Sequence, residues 1–100
     1  MKKLFISLVI MLLAGVNIMA ADRYWVGGAG NWNDASKWSS ASGGPGGAGV
    51  PTADDNVFFD ASSFTADSRT VTINTNAVCA DMSWVGAQHT PILQRDGTTT

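Results

Sequence analysis

Hydrophobic and polar positions divide the chain into two unlike parts. Residues 4–16 form one uncharged, largely apolar run, whereas beyond residue 21 apolar residues come only in short runs broken by Gly, Asn, Asp and Ser. Period-two alternation marks several of these runs as half-buried strands. In residues 69–74, Val71 and Ile73 share one face while Thr70, Thr72 and Asn74 share the other. In residues 78–84, Val78, Ala80, Met82 and Trp84 alternate with Cys79, Asp81 and Ser83. Further strands are expected over residues 23–26, over 56–60, the most apolar run, and over 91–94. Residues 94–97 read as a turn, with fraying after Leu93 and a new strand starting at 98–100.

Between these runs the punctuation is dense. Gly27, Gly28 and Gly30 end the first run, since glycine reaches positive φ without a steric cost. Asn33 or Asp34 is placed to cap one helical turn through Ala35, Ser36 and Lys37, which would bring Trp32 and Trp38 to a common side. Residues 39–49 form a Ser/Gly loop too poor in apolar residues to pack. Residues 50–55 are extended and turn-rich. No helical periodicity of useful length follows the first apolar run. Short strands with one apolar face, separated by Gly/Asn/Asp turns, fit a β-solenoid coil or a β-sandwich. The expected interior is Phe58 or Phe59, Val71, Ile73, Met82 and Trp84, because only one of two adjacent Phe residues points inward on a regular strand.

The first part reads as an export signal. Lys2 and Lys3 supply a positive start, residues 4–16 the apolar core, and Ala20 a small residue at the cut, so cleavage is expected between Ala20 and Ala21. The run is too short for a membrane span, which needs about 20 apolar residues. The chain thus divides into residues 1–20 as signal peptide, 21–49 as a Trp/Gly-rich cap and loop, and 50–100 as the first strands of an incomplete β-solenoid.

Removing the signal changes the charge. Four cations (Arg23, Lys37, Arg69 and Arg95) remain against eight Asp, a net charge of −4, and there is no Glu. An acidic chain without a basic cluster argues against nucleic acid or an anionic membrane as partner. Cys79 is the only cysteine and His89 the only histidine, so no internal disulfide and no Cys/His zinc site is available. A mature segment of about 80 residues lacking both devices lies near the limit for one self-sufficient core. It is expected to be an N-terminal fragment or truncated product that packs on the remainder of a longer parent chain.

The stretch Tyr24-Trp25-Val26-Gly27-Gly28-Ala29-Gly30-Asn31-Trp32-Asn33-Asp34, then Trp38, then Pro51 with residues 54–60, resembles the beginning of large secreted, autotransporter-like adhesins, including those of Bacteroidota. Thr70-Val71-Thr72-Ile73 and Met82-Ser83-Trp84 continue the likeness, which covers residues 24–84. The resemblance implies the cap and first coils of a right-handed parallel β-helix, with a small β-sandwich as the alternative. It also implies secretion to, or display on, the surface of a Gram-negative bacterium, and a non-catalytic adhesive or architectural role. Related β-helices include polysaccharide-degrading enzymes, so a carbohydrate-binding module or the front of such an enzyme is the alternative function, with extracellular glycan as the partner.

Candidate chemistry is sparse. Trp25, Trp32 and Trp38, with Tyr24, would make a sugar-stacking platform if exposed; large aromatics supply packing first, and a structural cap is the expectation. Asp54, Asp55, Asn56 and Asp60 offer oxygen ligands for Ca²⁺, yet their spacing matches neither the EF-hand loop nor the Gly-rich calcium repeat, and turn-capping is the expectation. No other cofactor is implied. His89 with Ser36 or Ser83 and an Asp lacks any nucleophile-elbow context, so no catalytic residue is assigned. Cys79 is expected to be a small, semi-buried residue.

Overall fold

The first strand, β1 (Asp22–Trp25), sits where aromatic and long side chains favour extended backbone. In the computed structural model, which describes residues 20–97, it is followed by six further strands: β2 (Gly30–Asn31), β3 (Trp38–Ser39), β4 (Asn56–Phe58), β5 (Thr70–Ile73), β6 (Asp81–Ser83) and β7 (Ile92–Arg95). The expected export signal, apart from Ala20, and the expected strand start at 98–100 lie outside the described residues. The only helical element among those described is a 3-10 turn, Ala35–Lys37. The described residues are all-β, and no helix among them is long and apolar enough to cross a membrane.

The strands form two open sheets, ordered β3-β1-β4-β6 and β2-β5-β7. All pairings are parallel except that of β3 with β1. Successive strands are stacked in register: Asp22 lies beside Asn56 and Asn56 beside Asp81, while Gly30 lies beside Val71 and Val71 beside Leu93. The chain therefore alternates between sheets, β1 to β2, β4 to β5, β6 to β7. Backbone bonds extend the ladders past the strand ends, from Trp32 N to Thr72 O at 2.7 Å and from Phe59 N to Ser83 O at 2.9 Å.

One aromatic core serves both sheets. Trp25, Trp32, Trp38, Val57, Phe59, Phe64 and Val71 are at most 1% exposed. Trp38 meets Trp25 edge-on at 5.0 Å and Trp32 at 4.8 Å, and Phe59 stacks on Trp84 at 3.9 Å. Edge-on pairs place the positive ring edge against the negative face, adding to the area buried. Phe59 is the inward member of its Phe pair, while Phe58 turns outward and stacks on Tyr24 at 4.8 Å. Phe64 is a core residue that the hydrophobic pattern misses, because it stands alone among Ser, Thr and Ala.

Several expectations are corrected. The fourth predicted strand shrinks to Asp81–Ser83. Val78 then lies in a corner where alternation no longer applies and is 46% exposed, while Cys79 packs against the core. Met82 is 39% exposed, because β6 is an edge strand with a neighbour on one side only. The last strand does not fray after Leu93: Ile73 pairs with Arg95, and Asp96 N donates to Ile73 O at 3.1 Å. Gln94 and Arg95 are thus strand, not turn.

The Ser/Gly loop also packs, through its backbone. Gly47 N donates to Ala35 O and Ala48 N to Trp38 O, each at 3.0 Å. A Cβ at Gly46 would strike the Ser36 carbonyl. In the first glycine run only Gly28 has a positive φ, 63°. Gly27 and Gly30 instead leave room for the aliphatic stem of Lys37, which lies where their Cβ atoms would be.

Candidate functional site

The Trp-rich segment is built from its turn outward. Asp34 caps the 3-10 turn, its Oδ1 accepting from Ser36 N at 3.0 Å and from Ser36 Oγ at 2.7 Å. These bonds, the hydroxyl first, hold the Asp34 carboxyl below its ordinary value. The turn carries Trp38 back against β1 and over Trp32, as the spacing of the two tryptophans predicts. The Trp38 indole N–H donates to Trp32 O at 2.9 Å, and that of Trp25 to Gly28 O at 2.8 Å. All three indoles, of Trp25, Trp32 and Trp38, lie inside the core, at most 1% exposed. A sugar-stacking platform, by contrast, has to be exposed.

The acidic group is distributed over separate turns. Asp60 Oδ1 accepts from Ser62 N at 3.0 Å and its Oδ2 from Ser42 Oγ at 2.6 Å, tying the glycine loop to the segment after β4. Asn56 Nδ2 donates to Asp22 Oδ1 at 3.4 Å. Asp54 is exposed. Asp55 is buried and accepts from Thr52 N at 2.8 Å and from Ala21 N at 3.2 Å. The Thr52 amide, aided by that of Ala21, holds its carboxyl below the ordinary range despite the opposing effect of burial. Among the described residues no three His, Cys, Asp or Glu side chains converge.

His89 is exposed, with Nδ1 3.1 Å from Asp67 Oδ1. The Ser36 and Ser83 hydroxyls are engaged elsewhere: Ser36 Oγ donates to Asp34, and Ser83 Oγ accepts from Val85 N at 3.3 Å. The geometry assembles no nucleophile–base pair from these residues.

One concavity among the described residues is apolar. Trp32, Ile73, Ala77, Val78, Cys79 and Met82 line a hollow of about 130 Å³. Cys79 there is a free, half-buried thiol. The hollow adjoins the exposed end of the stack, where Met82, Ile92 and Leu93 are 38–42% exposed. Ala20 and Ala21, the expected cleavage pair, stand at the entrance to β1, Ala20 exposed and Ala21 half-buried. Sequence reasoning missed the pairing of Ala21 with Asp55; the Thr-x-x-Asp spacing of Thr52 and Asp55 signals a local turn but gives no hint of the remote partner. The chain matches no protein-family model, no curated protein and no solved structure.

Proposed function

We propose that the chain forms the N-terminal cap and first coils of a secreted, right-handed parallel β-helix. The full protein would act as an adhesin or structural element at the surface of a Gram-negative bacterium, with no chemistry performed by this segment. The observation that carries the reading is the in-register parallel stacking of β1 on β4 on β6 and of β2 on β5 on β7. Coils of a solenoid stack in this way, each contributing one strand to each sheet and burying an apolar face that it cannot bury alone.

The two ends suit that role. On one side β3 runs antiparallel to β1 and brings buried Trp38 and Ser39 over it. That layer covers the outer edge of β1 and so limits edge-to-edge aggregation through it. On the other side β6 and β7 present unpaired edges and apolar side chains, the surface on which the next coil of a longer parent chain would stack. The role is architectural: the aromatic layer sets the register that later coils follow.

Labelling of intact cells with an antibody raised against residues 21–97 tests the reading. Labelling before permeabilisation supports surface display, while labelling that requires permeabilisation overturns it. Tryptophan fluorescence tests the role of the indoles. Blue-shifted emission indifferent to a panel of extracellular glycans supports a structural cap, and red-shifted emission that moves to the blue with one glycan overturns it.

A further inference from the structure

Residues 52–55 make a tight turn in which Asp55 N donates to Thr52 O at 3.1 Å and Thr52 N donates to Asp55 Oδ2 at 2.8 Å. Asp55 is 5% exposed, and a carboxylate so buried requires donors or a cation for both oxygens. The turn serves Oδ2. For Oδ1 the donor is remote: it is the backbone nitrogen of Ala21, 3.2 Å away and 34 positions earlier in the chain. Two ladder bonds fix this approach. Asn56 N donates to Ala21 O at 2.8 Å, and Ala80 N donates to Asp55 O at 2.7 Å.

Ala21 is also the residue that export processing would place first. Hydrolysis of the Ala20–Ala21 amide by a signal peptidase adds the hydroxyl of water to the Ala20 carbonyl carbon and a hydrogen to the Ala21 nitrogen. The free amine then takes a proton at neutral pH, since an α-amino group titrates near ~7.7–8.0. We infer that Asp55 is the receptor for this new amino terminus, so that processing completes the fold with an ammonium–carboxylate bond. The inference rests on the export reading.

The chemistry favours it. A neutral amide with one hydrogen becomes a cation with three, and charge-assisted hydrogen bonds are roughly twice as strong as neutral ones. Ala20 is exposed, so its removal opens no gap in the packed interior. The nearby cation, Arg23, helps keep Asp55 ionised, while its own Nη1 donates to Asp22 O at 3.0 Å. The Asp55 carboxylate therefore has a local turn on one oxygen and the start of the mature chain on the other.

The test uses the whole chain, expressed with its own leader and isolated after export. Intact mass gives the terminus. With residues 1–20 removed, the remaining amines are the α-amine of Ala21 and Lys37 Nζ; peptide mapping separates them, and an added unstructured peptide with a free alanine α-amine is the standard for acetylation by a neutral reagent. The α-amine is expected to react about tenfold more slowly, relative to that peptide, in the native protein than in guanidinium, the factor that one pKa unit of protection produces. Asp55→Asn is expected to remove that protection and lower Tm by about 4–8 °C. If Asp55→Asn does not fold, the native-against-unfolded comparison still decides. A terminus at Ala21 with equal labelling in the native and unfolded states overturns the docking and leaves the cleavage standing. A terminus elsewhere overturns the cleavage, and the docking with it.

Discussion

At the closed end of the stack, Trp38 and Ser39 of β3 are fully buried against β1, while at the open end all four residues of β7 are exposed. Both ends are strands in ladders of the same fold, and the lengths do not separate them, since β3 has two residues and β7 four. What differs is the layer placed over the strand. The closed end carries an aromatic layer, supported by a capped turn and a glycine loop; the open end carries aliphatic side chains facing solvent. Burial of apolar area is the dominant favourable term in folding, so the short covered strand is expected to contribute more to stability than the longer exposed one.

The largest test of that contrast is Trp38→Ala. Truncating a fully buried Trp typically costs about 3–5 kcal/mol, comparable to the whole stability of a domain this small. The variant is expected to lose cooperative unfolding in a denaturant titration followed by near-ultraviolet circular dichroism. A cooperative transition with an unchanged midpoint would mean that the aromatic layer is not what holds the closed end. Next in size is Gly46→Ala. Its Cβ would meet the Ser36 carbonyl, backbone that cannot swing aside, and forced overpacking of this kind costs about 1–3 kcal/mol. The same titration should show a lower midpoint with an unchanged slope.

These two residues also mark what was legible in the sequence. The strands around Trp25, Val57 and Val71 were readable, because alternation and β-propensity agree there. The capped turn was readable from Asn33-Asp34 and the spacing of Trp32 and Trp38, though not which of the two residues caps it. The role of Gly46 was not, since a glycine that admits a carbonyl looks like any glycine in a flexible loop. Phe64 was hidden because periodicity needs neighbours, and its neighbours are polar. Met82 and Val78 were misplaced because alternation predicts a face and not whether another strand covers it. Of the candidate site, the sequence marks Asp55 as a turn residue, which it is; its long-range bond to Ala21 is set by strand register, which no local pattern encodes.

A smaller effect is expected from acid. Asp55, whose carboxyl is held low by the Thr52 amide and then by that of Ala21, binds its proton less readily folded than unfolded. Its contribution is complete above the ordinary carboxylate value of about 3.9 and is lost as pH falls through the lower folded value. Thermal melts from pH 6 downward should therefore show Tm falling as the solution enters and passes below that range, and Asp55→Asn should flatten the fall. An equal fall in the variant would assign the acid sensitivity to other carboxylates.

The smallest effect on folding is expected at the open end. Leu93→Lys replaces a side chain that is 38% exposed, and surface substitutions away from special features usually stay within about 0.5 kcal/mol. The same charge on an unpaired edge opposes pairing with another strand, the device by which natural edge strands avoid association. The variant should keep the parent's denaturation midpoint while its sedimentation coefficient becomes less dependent on concentration. A loss of stability comparable to that of Trp38→Ala would mean that β7 is covered in solution after all, and the two ends would no longer differ in the way their burial implies.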